Sequence, residues 1–91
     1  REELLFDRAL IADDLNWIAF ESLEAPLRVK AKTRYRQVEQ PAVVYPLEGG
    51  SVRIVFDGPQ RAIAPGQAVV MYDGDTVVGG GTIVRADKTP V

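Results

Sequence analysis

A row of cations is the part of this sequence best suited to chemistry. From residue 27 to residue 37 the chain alternates between apolar or neutral residues and basic ones, and the basic positions are Arg28, Lys30, Lys32, Arg34 and Arg36. Successive side chains of a β-strand point to opposite faces, so an extended chain would hold all of them on one face, about 7 Å apart. Such a row favours binding of phosphates or other anions, or it is a solvated outer face that keeps a strand soluble.

The residue types that most often carry catalysis are missing. The 91 residues include no Cys and no His, which excludes a thiolate nucleophile, a disulfide, a Ser-His-Asp triad and metal sites built from Cys or His. No apolar run approaches the ~20 residues that span a bilayer, and no secretory leader is predicted. Because the chain does not begin with Met, we expect it to be a piece of a longer protein. Binding or scaffolding is therefore favoured over catalysis.

Charge is distributed unevenly. The net charge is −2. Residues 1–24 hold seven acids against two arginines, a balance of −5, and the rest of the chain amounts to +3. A low overall pI argues against a free-standing nucleic-acid binder, but it allows a local basic patch on a larger protein.

The elements that must position the cations are predicted to be short β-strands. The expected strands are 9–18, 27–36, 42–47, 52–56, 68–72, 76–78 and 82–85, with a short extended piece at 60–63. The first is expected to kink at Asp13-Asp14, and a short helix is the alternative there. The segment 68–72 is apolar enough to be buried on both faces. Residues 57–59 are expected to end the strand 52–56.

Turn signals separate these strands. Ala64-Pro65-Gly66-Gln67 predicts a type II turn, Asp73-Gly74 predicts a tight hairpin, and residues 48–51 predict a hairpin loop. Many short strands without a long helix indicate an all-β fold, a closed or nearly closed antiparallel barrel of six to seven strands. We expect residues 1–8 to be a lead-in from a preceding domain, 9–86 to be the barrel and 87–91 to be a tail.

Three further features are assigned structural roles. Gly79-Gly80-Gly81 lacks the Lys-Ser/Thr of a phosphate-binding loop, so a bulge or a close approach of two backbones is expected. Asp73 and Asp75 flank a turn and are expected to be solvated. Trp17 is expected to pack in the core or at a domain interface.

Several motifs occur together in a definite order. They are Asp14-Leu15-Asn16-Trp17, Lys32-Thr33-Arg34-Tyr35-Arg36-Gln37, Phe56-Asp57-Gly58-Pro59-Gln60-Arg61-Ala62, Ala64-Pro65-Gly66-Gln67-Ala68, Tyr72-Asp73-Gly74-Asp75 and Gly79-Gly80-Gly81. This series resembles the C-terminal domain of the tRNA-specific 2-thiouridylases, which place sulfur on the wobble uridine of tRNA. The resemblance implies a β-barrel similar to the second domain of translation elongation factors.

The resemblance also implies a parent enzyme. That enzyme is cytoplasmic, uses ATP and Mg²⁺, and acts with a sulfur-carrier protein on the anticodon arm of tRNA. No membrane is expected among its partners. Its catalysis lies in upstream catalytic and central domains, so no catalytic residue, cofactor or metal is expected within these residues. The alternative is a structural barrel that mediates contacts between domains or with a protein partner.

The tRNA contacts that the resemblance implies fall on Arg34, Tyr35 and Gln67, with Lys30, Lys32 and Arg36 as weaker candidates. Arg34 and Tyr35 are consecutive, and a regular strand would send them to opposite faces. We therefore expect them at a strand end, a bulge or a barrel rim, close to the Pro-Gly-Gln turn.

Overall fold

Six antiparallel strands close into a barrel in the computed structural model, which describes residues 6–90. They are β1 (Phe6–Trp17), β2 (Leu27–Lys32), β3 (Gln40–Pro46), β4 (Val52–Arg61), β5 (Ala68–Asp73) and β6 (Thr76–Asp87), and a 3-10 turn at Glu48–Gly50 joins β3 to β4. The order around the barrel is β1-β4-β3-β2-β5-β6, and β1 also pairs with β6. Closure leaves no strand edge unpaired along the ring, and the predicted all-β antiparallel barrel is confirmed.

Alternating burial builds one core from all six strands. In β4, Val52, Ile54 and Phe56 are buried while Arg53 and Val55 between them are only half-buried, as the period of two requires. Each strand contributes in this way, represented by Leu10, Val29, Val44, Phe56, Met71 and Ile83. The chain thus has a hydrophobic core of its own. Within residues 6–90 no helix has the length and apolar character needed to cross a bilayer.

The predicted kink in the first strand is confirmed, and the strand is longer than expected. Asp14 has a φ of 56°, and the pairing with β6 shifts register between Asp13 and Asn16. Aspartate tolerates this left-handed conformation better than most residues, so the segment forms a bulged strand rather than the alternative short helix. The strand begins at Phe6, which pairs with Arg61, so residues 6–8 already belong to the barrel; the remainder of the expected lead-in, residues 1–5, lies outside the described residues.

Two predicted strand breaks are wrong. β4 continues through Asp57-Gly58-Pro59, because β1 pairs with it on both sides of this segment: Ala9 pairs with Val55 and Asp7 with Gln60. The extra residues of β4 between these pairs are accommodated by a shift in register. β6 likewise runs without interruption through the three glycines. It extends to Asp87, the first residue of the expected tail, while Val91 lies outside the described residues. In both cases pairing with neighbouring strands continues across the segment that was expected to interrupt the strand.

The strand β5 is buried on one face only. Val69 and Met71 are 0% exposed, whereas Val70 and Tyr72 are half-buried and face outward. The expectation of burial on both faces is therefore wrong, because the continuous apolar run concealed an ordinary alternation. Its outward face becomes part of the site described below.

The carboxylate of Asp87 fastens the end of β6 to β4. Its Oδ2 accepts a hydrogen bond from Arg53 Nε at 2.8 Å, and its Oδ1 accepts one from the Thr89 backbone N–H at 3.1 Å. The Thr89 backbone N–H is the main cause of a lowered pKa for Asp87; the Thr89 side chain and Arg53 act in the same direction, and burial opposes them. Because the folded-state pKa lies below the unfolded one, this contribution to stability is complete above the unfolded pKa and is lost as pH falls through the folded pKa.

We expect Asp87→Asn to lower the free energy of unfolding at neutral pH by about 1–2 kcal/mol, since it removes a charge-assisted hydrogen bond. The difference from the parent chain should vanish in acid, once Asp87 is protonated in the folded state. Urea unfolding across that pH range measures both. The matched control is Asp57→Asn, which breaks an exposed ion pair with Arg28 and should cost less than about 1 kcal/mol. A pH-independent loss for Asp87→Asn would show that the charge is unimportant.

Candidate nucleic-acid interface

The basic strand is shorter than its alternation predicts. β2 ends at Lys32, and residues 33–37 form a turn closed by a hydrogen bond from Gln37 N to Arg34 O at 3.1 Å. The side chain of Gln37 replaces a neighbouring strand as the partner of Thr33: its Oε1 accepts hydrogen bonds from Thr33 N at 2.8 Å and from Thr33 Oγ1 at 3.3 Å. The prediction of a strand reaching Arg36 is therefore wrong. Of the five cations, only those at 28, 30 and 32 share the strand.

This turn is anchored to the end of β4 by two side chains. Gln37 Nε2 donates to Gln60 Oε1 at 3.0 Å, and Gln60 is 6% exposed and itself donates to Gly58 O at 3.1 Å. Arg34 Nη2 donates to Ala62 O at 3.1 Å. One of the five guanidinium donors of Arg34 is thus used to fix the side chain, which leaves others for a ligand. The turn is held in place while its tip stays in solvent.

A groove at this rim gathers the three main predicted residues. We call it the rim groove; it has a volume of about 520 Å³ and is lined by Lys32, Thr33, Arg34, Tyr35, Gln67, Ala68, Val70 and Tyr72. Tyr35 is 89% exposed. Consecutive residues 34 and 35 both reach the groove because they lie in a turn and not in a strand. The expected rim position beside the Pro-Gly-Gln turn is confirmed, and contact with tRNA stays a prediction.

The turn that carries Gln67 has the predicted geometry. Gly66 has a φ of 86°, which a type II turn requires at this position, and Gln67 N donates to Ala64 O at 3.3 Å. Two hydrogen bonds of 2.8 Å, from Gly66 N to Ile83 O and from Ile83 N to Gln67 O, dock the turn on β6. The side-chain Oε1 of Gln67 is buried and accepts no hydrogen bond from any described residue. A buried acceptor without a donor is costly.

The floor of the rim groove is apolar and aromatic. Val70 and Tyr72 come from the outward face of β5, and Lys32 Nζ lies 5.5 Å from the centroid of the Tyr72 ring. This cation–π contact holds a positive charge at the groove wall. Sequence reasoning missed both β5 residues, although reading 68–72 as an alternating strand would have found them.

Ion pairing divides the cations into two groups. Four cations form ion pairs: Arg28 with Asp57, Arg53 and Arg85 both with Asp87, and Lys88 with Asp7. Among the described residues, the following cations belong to no ion pair: Arg8, Lys30, Lys32, Arg34, Arg36 and Arg61. Positive charge without a carboxylate partner is therefore concentrated around β2 and the turn after it. Within residues 6–90 no three side chains of metal-ligating type come together.

The weaker candidates lie around the groove in different ways. Lys32 lines it, whereas Lys30 is exposed on β2 outside its lining. Arg36 lines a separate cleft of about 280 Å³ together with Arg34, Gln37 and Arg61. We call this the arginine cleft. Arg61 was not identified from the sequence; its place beside the basic motif depends on the pairing of β4 with its neighbours.

Comparison with known proteins assigns the chain to a family. The sequence model of the aminomethyltransferase beta-barrel domain matches residues 7–83. The chain is 60% identical over 82 residues to the tRNA-specific 2-thiouridylase MnmA of Acetivibrio thermocellus, covering 90% of this chain and 23% of the relative. It is 58% identical over 85 residues to that of Heliobacterium modesticaldum and 52% identical over 84 residues to that of Clostridioides difficile, covering 92% of this chain in both cases and 22% and 23% of the relatives.

The chain thus spans less than a quarter of the length of the curated relatives that it matches. These matches confirm the resemblance to the tRNA-specific 2-thiouridylases that the ordered motifs indicated. Because the family model covers most of the chain and the observed fold is a β-barrel, this protein belongs to the aminomethyltransferase beta-barrel domain family.

Proposed function

We propose that this chain is the tRNA-positioning barrel of a tRNA-specific 2-thiouridylase, and that it holds the anticodon arm so that the wobble uridine reaches an active site elsewhere in the enzyme. The observation that carries the proposal is the rim groove, which brings Arg34 and Tyr35 together with Gln67 from a distant turn. The names of the relatives support tRNA as the substrate of the parent enzyme.

The groove offers the contacts that single-stranded RNA requires. The planar guanidinium of Arg34 can grip a phosphate through two N–H groups or stack on a base. The exposed ring of Tyr35 provides a platform for an unstacked base of the anticodon loop. The side-chain amide of Gln67, which also lines the groove, can both donate and accept hydrogen bonds and so suits a base edge or a 2′-hydroxyl. Lys32 adds positive charge at the wall, and Lys30 and Arg36 extend it outside the groove.

The chemistry of sulfur transfer is assigned to the rest of the parent enzyme. ATP, Mg²⁺ and the sulfur-carrier protein would act with the upstream catalytic and central domains, in the cytoplasm. The role proposed for this chain is positioning, and no chemical step is placed on it. Positioning alone has a large effect on rate, because misplacement of a substrate by about 1 Å can cost roughly 10²-fold.

A structural barrel that contacts a neighbouring domain or a protein is the second candidate. Ile18 is 61% exposed and Val77 is 40% exposed, and both line a shallow cavity beside the three glycines. Exposed apolar side chains grouped in this way are typical of a contact surface. This surface adjoins the rim groove, with which it shares Ala68 and Val70, but its lining holds no Lys or Arg. The two roles therefore predict different responses to salt.

The test is a titration of this chain with a tRNA anticodon stem-loop at a series of salt concentrations. We expect the logarithm of the association constant to fall linearly with the logarithm of the salt concentration, with a slope of about −0.7 to −0.9 for each phosphate neutralised. The control is Arg85→Ala, which removes an exposed cation already paired with Asp87; it should change neither the affinity nor the slope. A folded chain that binds no stem-loop even at low salt would reject the positioning role and leave the structural barrel.

A further inference from the structure

The arginine cleft is a second concentration of positive charge beside the rim groove. Arg34, Arg36 and Arg61 converge on it, and no acidic side chain lines it. Among residues 6–90 none of these arginines forms an ion pair. Like charges brought together repel one another, and an anion bound between them removes that repulsion.

The cleft is built on anchored parts of the barrel. Its floor is Gln37, whose amide is hydrogen-bonded to the buried Gln60 of β4. Arg61 follows Gln60 directly, and the carbonyl of the next residue, Ala62, accepts the hydrogen bond from Arg34 Nη2. Arg34 is therefore fixed to the residue that directly follows Arg61 at the end of β4. A site whose frame is fixed in advance loses less entropy when it binds a ligand.

The cleft and the rim groove share the turn at residues 33–37. Arg34 lines both, while Arg36 and Arg61 line only the cleft and Tyr35 and Gln67 line only the groove. The groove has the apolar and aromatic floor that suits a base; the cleft presents guanidinium groups, which match the geometry of a phosphate. Along one strand of RNA each base has a phosphate close by, and these two sites meet at Arg34.

We propose that the arginine cleft binds a phosphodiester of the RNA backbone next to the nucleotide held in the rim groove, and that Arg61 is a further RNA-binding residue. This inference rests on the proposed function and adds to it a second subsite. Arg61 would act through charge and bidentate hydrogen bonds to phosphate, without reading a base.

Arg61→Ala tests the inference in the stem-loop titration. We expect affinity at low salt to fall about three- to tenfold and the salt dependence to lose the share of one phosphate, about 0.7–0.9 in the logarithmic slope. Arg61→Lys should keep part of the affinity and part of the salt dependence that Arg61→Ala loses. The control Arg85→Ala should have the same affinity and slope as the parent chain. Circular dichroism and thermal unfolding confirm that each variant is folded. If Arg34→Ala weakens binding while Arg61→Ala changes neither affinity nor slope, the second subsite is rejected and the positioning role stands.

A second titration with inorganic phosphate, followed by the NMR signals of the arginine side chains, separates the two sources of phosphate. A backbone phosphate is supported as the ligand if inorganic phosphate and the stem-loop shift the same signals of Arg36 and Arg61, and if the stem-loop displaces inorganic phosphate. Shifts with inorganic phosphate in a chain that binds no stem-loop would reject both the RNA subsite and the proposed function. No shift with either probe would reject the cleft as an anion site.

Discussion

Replacing Arg34 with alanine is expected to weaken binding of a tRNA anticodon stem-loop about 10- to 100-fold. The loss reflects charge-assisted hydrogen bonds, worth about 1.5–3 kcal/mol. Arg34 lines both the rim groove and the arginine cleft, so its removal affects both subsites. Fluorescence anisotropy of a labelled stem-loop at low salt measures the change.

The controls separate recognition from folding. Arg34 is exposed and its side chain makes one hydrogen bond, to Ala62 O, so Arg34→Ala should change the free energy of unfolding by less than about 1 kcal/mol. Arg34→Lys keeps the charge but loses the planar fork, and it should recover only part of the affinity. Gln67→Ala should weaken binding through a different contact, with no change in salt dependence. Equal affinity of Arg34→Ala and the parent chain would remove the rim groove from RNA recognition.

The largest stability effect is expected at Gly79, where β6 passes close to β1. A Cβ at this position would lie 2.7 Å from Asn16 O and 2.9 Å from Cε3 of the Trp17 ring. Neither neighbour yields easily, because one is backbone within the β1–β6 ladder and the other is a packed indole that also contacts Phe20. We expect Gly79→Ala to lower the free energy of unfolding by about 2–3 kcal/mol, as overpacking does in tight cores.

Gly58→Ala is the matched control for that substitution. Gly58 also lies within a strand, has no left-handed φ, and a Cβ there would meet no heavy atom within 4 Å. Its effect should stay within about 0.5–1 kcal/mol. Urea and thermal unfolding compare the two variants; for a domain of this size the Gly79 substitution should lower the melting temperature by roughly 10–20 °C. If both alanines were tolerated equally, the approach of β1 and β6 would not limit the packing.

Local signals in the sequence predicted the barrel well. Alternation of side chains marked β2 and β4, Pro65-Gly66 marked the turn before β5, and Asp73-Gly74 marked the hairpin after it. These features depend on the conformational preferences of a few consecutive residues, which act in much the same way in any fold. The position of the three main site residues at a rim also followed from local geometry, since consecutive residues cannot share one face of a strand.

Contacts between distant segments decided what local signals could not. β2 stops at Lys32 because the side chain of Gln37 captures the Thr33 N–H, and Gln37 is itself held by Gln60, 23 residues further along the chain. β4 passes through Pro59 because β1 supplies a pairing partner on the far side of the irregularity. Neither result is visible in a window of neighbouring residues.

By itself, the sequence determined which segments form strands and turns, though not where β2, β4 and β6 end. It also determined the absence of Cys and His and the ordered motifs that led to the family. Only the tertiary structure decided which cations are free to bind: Arg28 is committed to Asp57, whereas Arg61, absent from the basic motif, joins Arg34 and Arg36 in one cleft. The physical reason is range. Side-chain alternation and turn preferences act over a few residues, while pairing and repulsion of charges depend on distances in space that strand pairing alone sets.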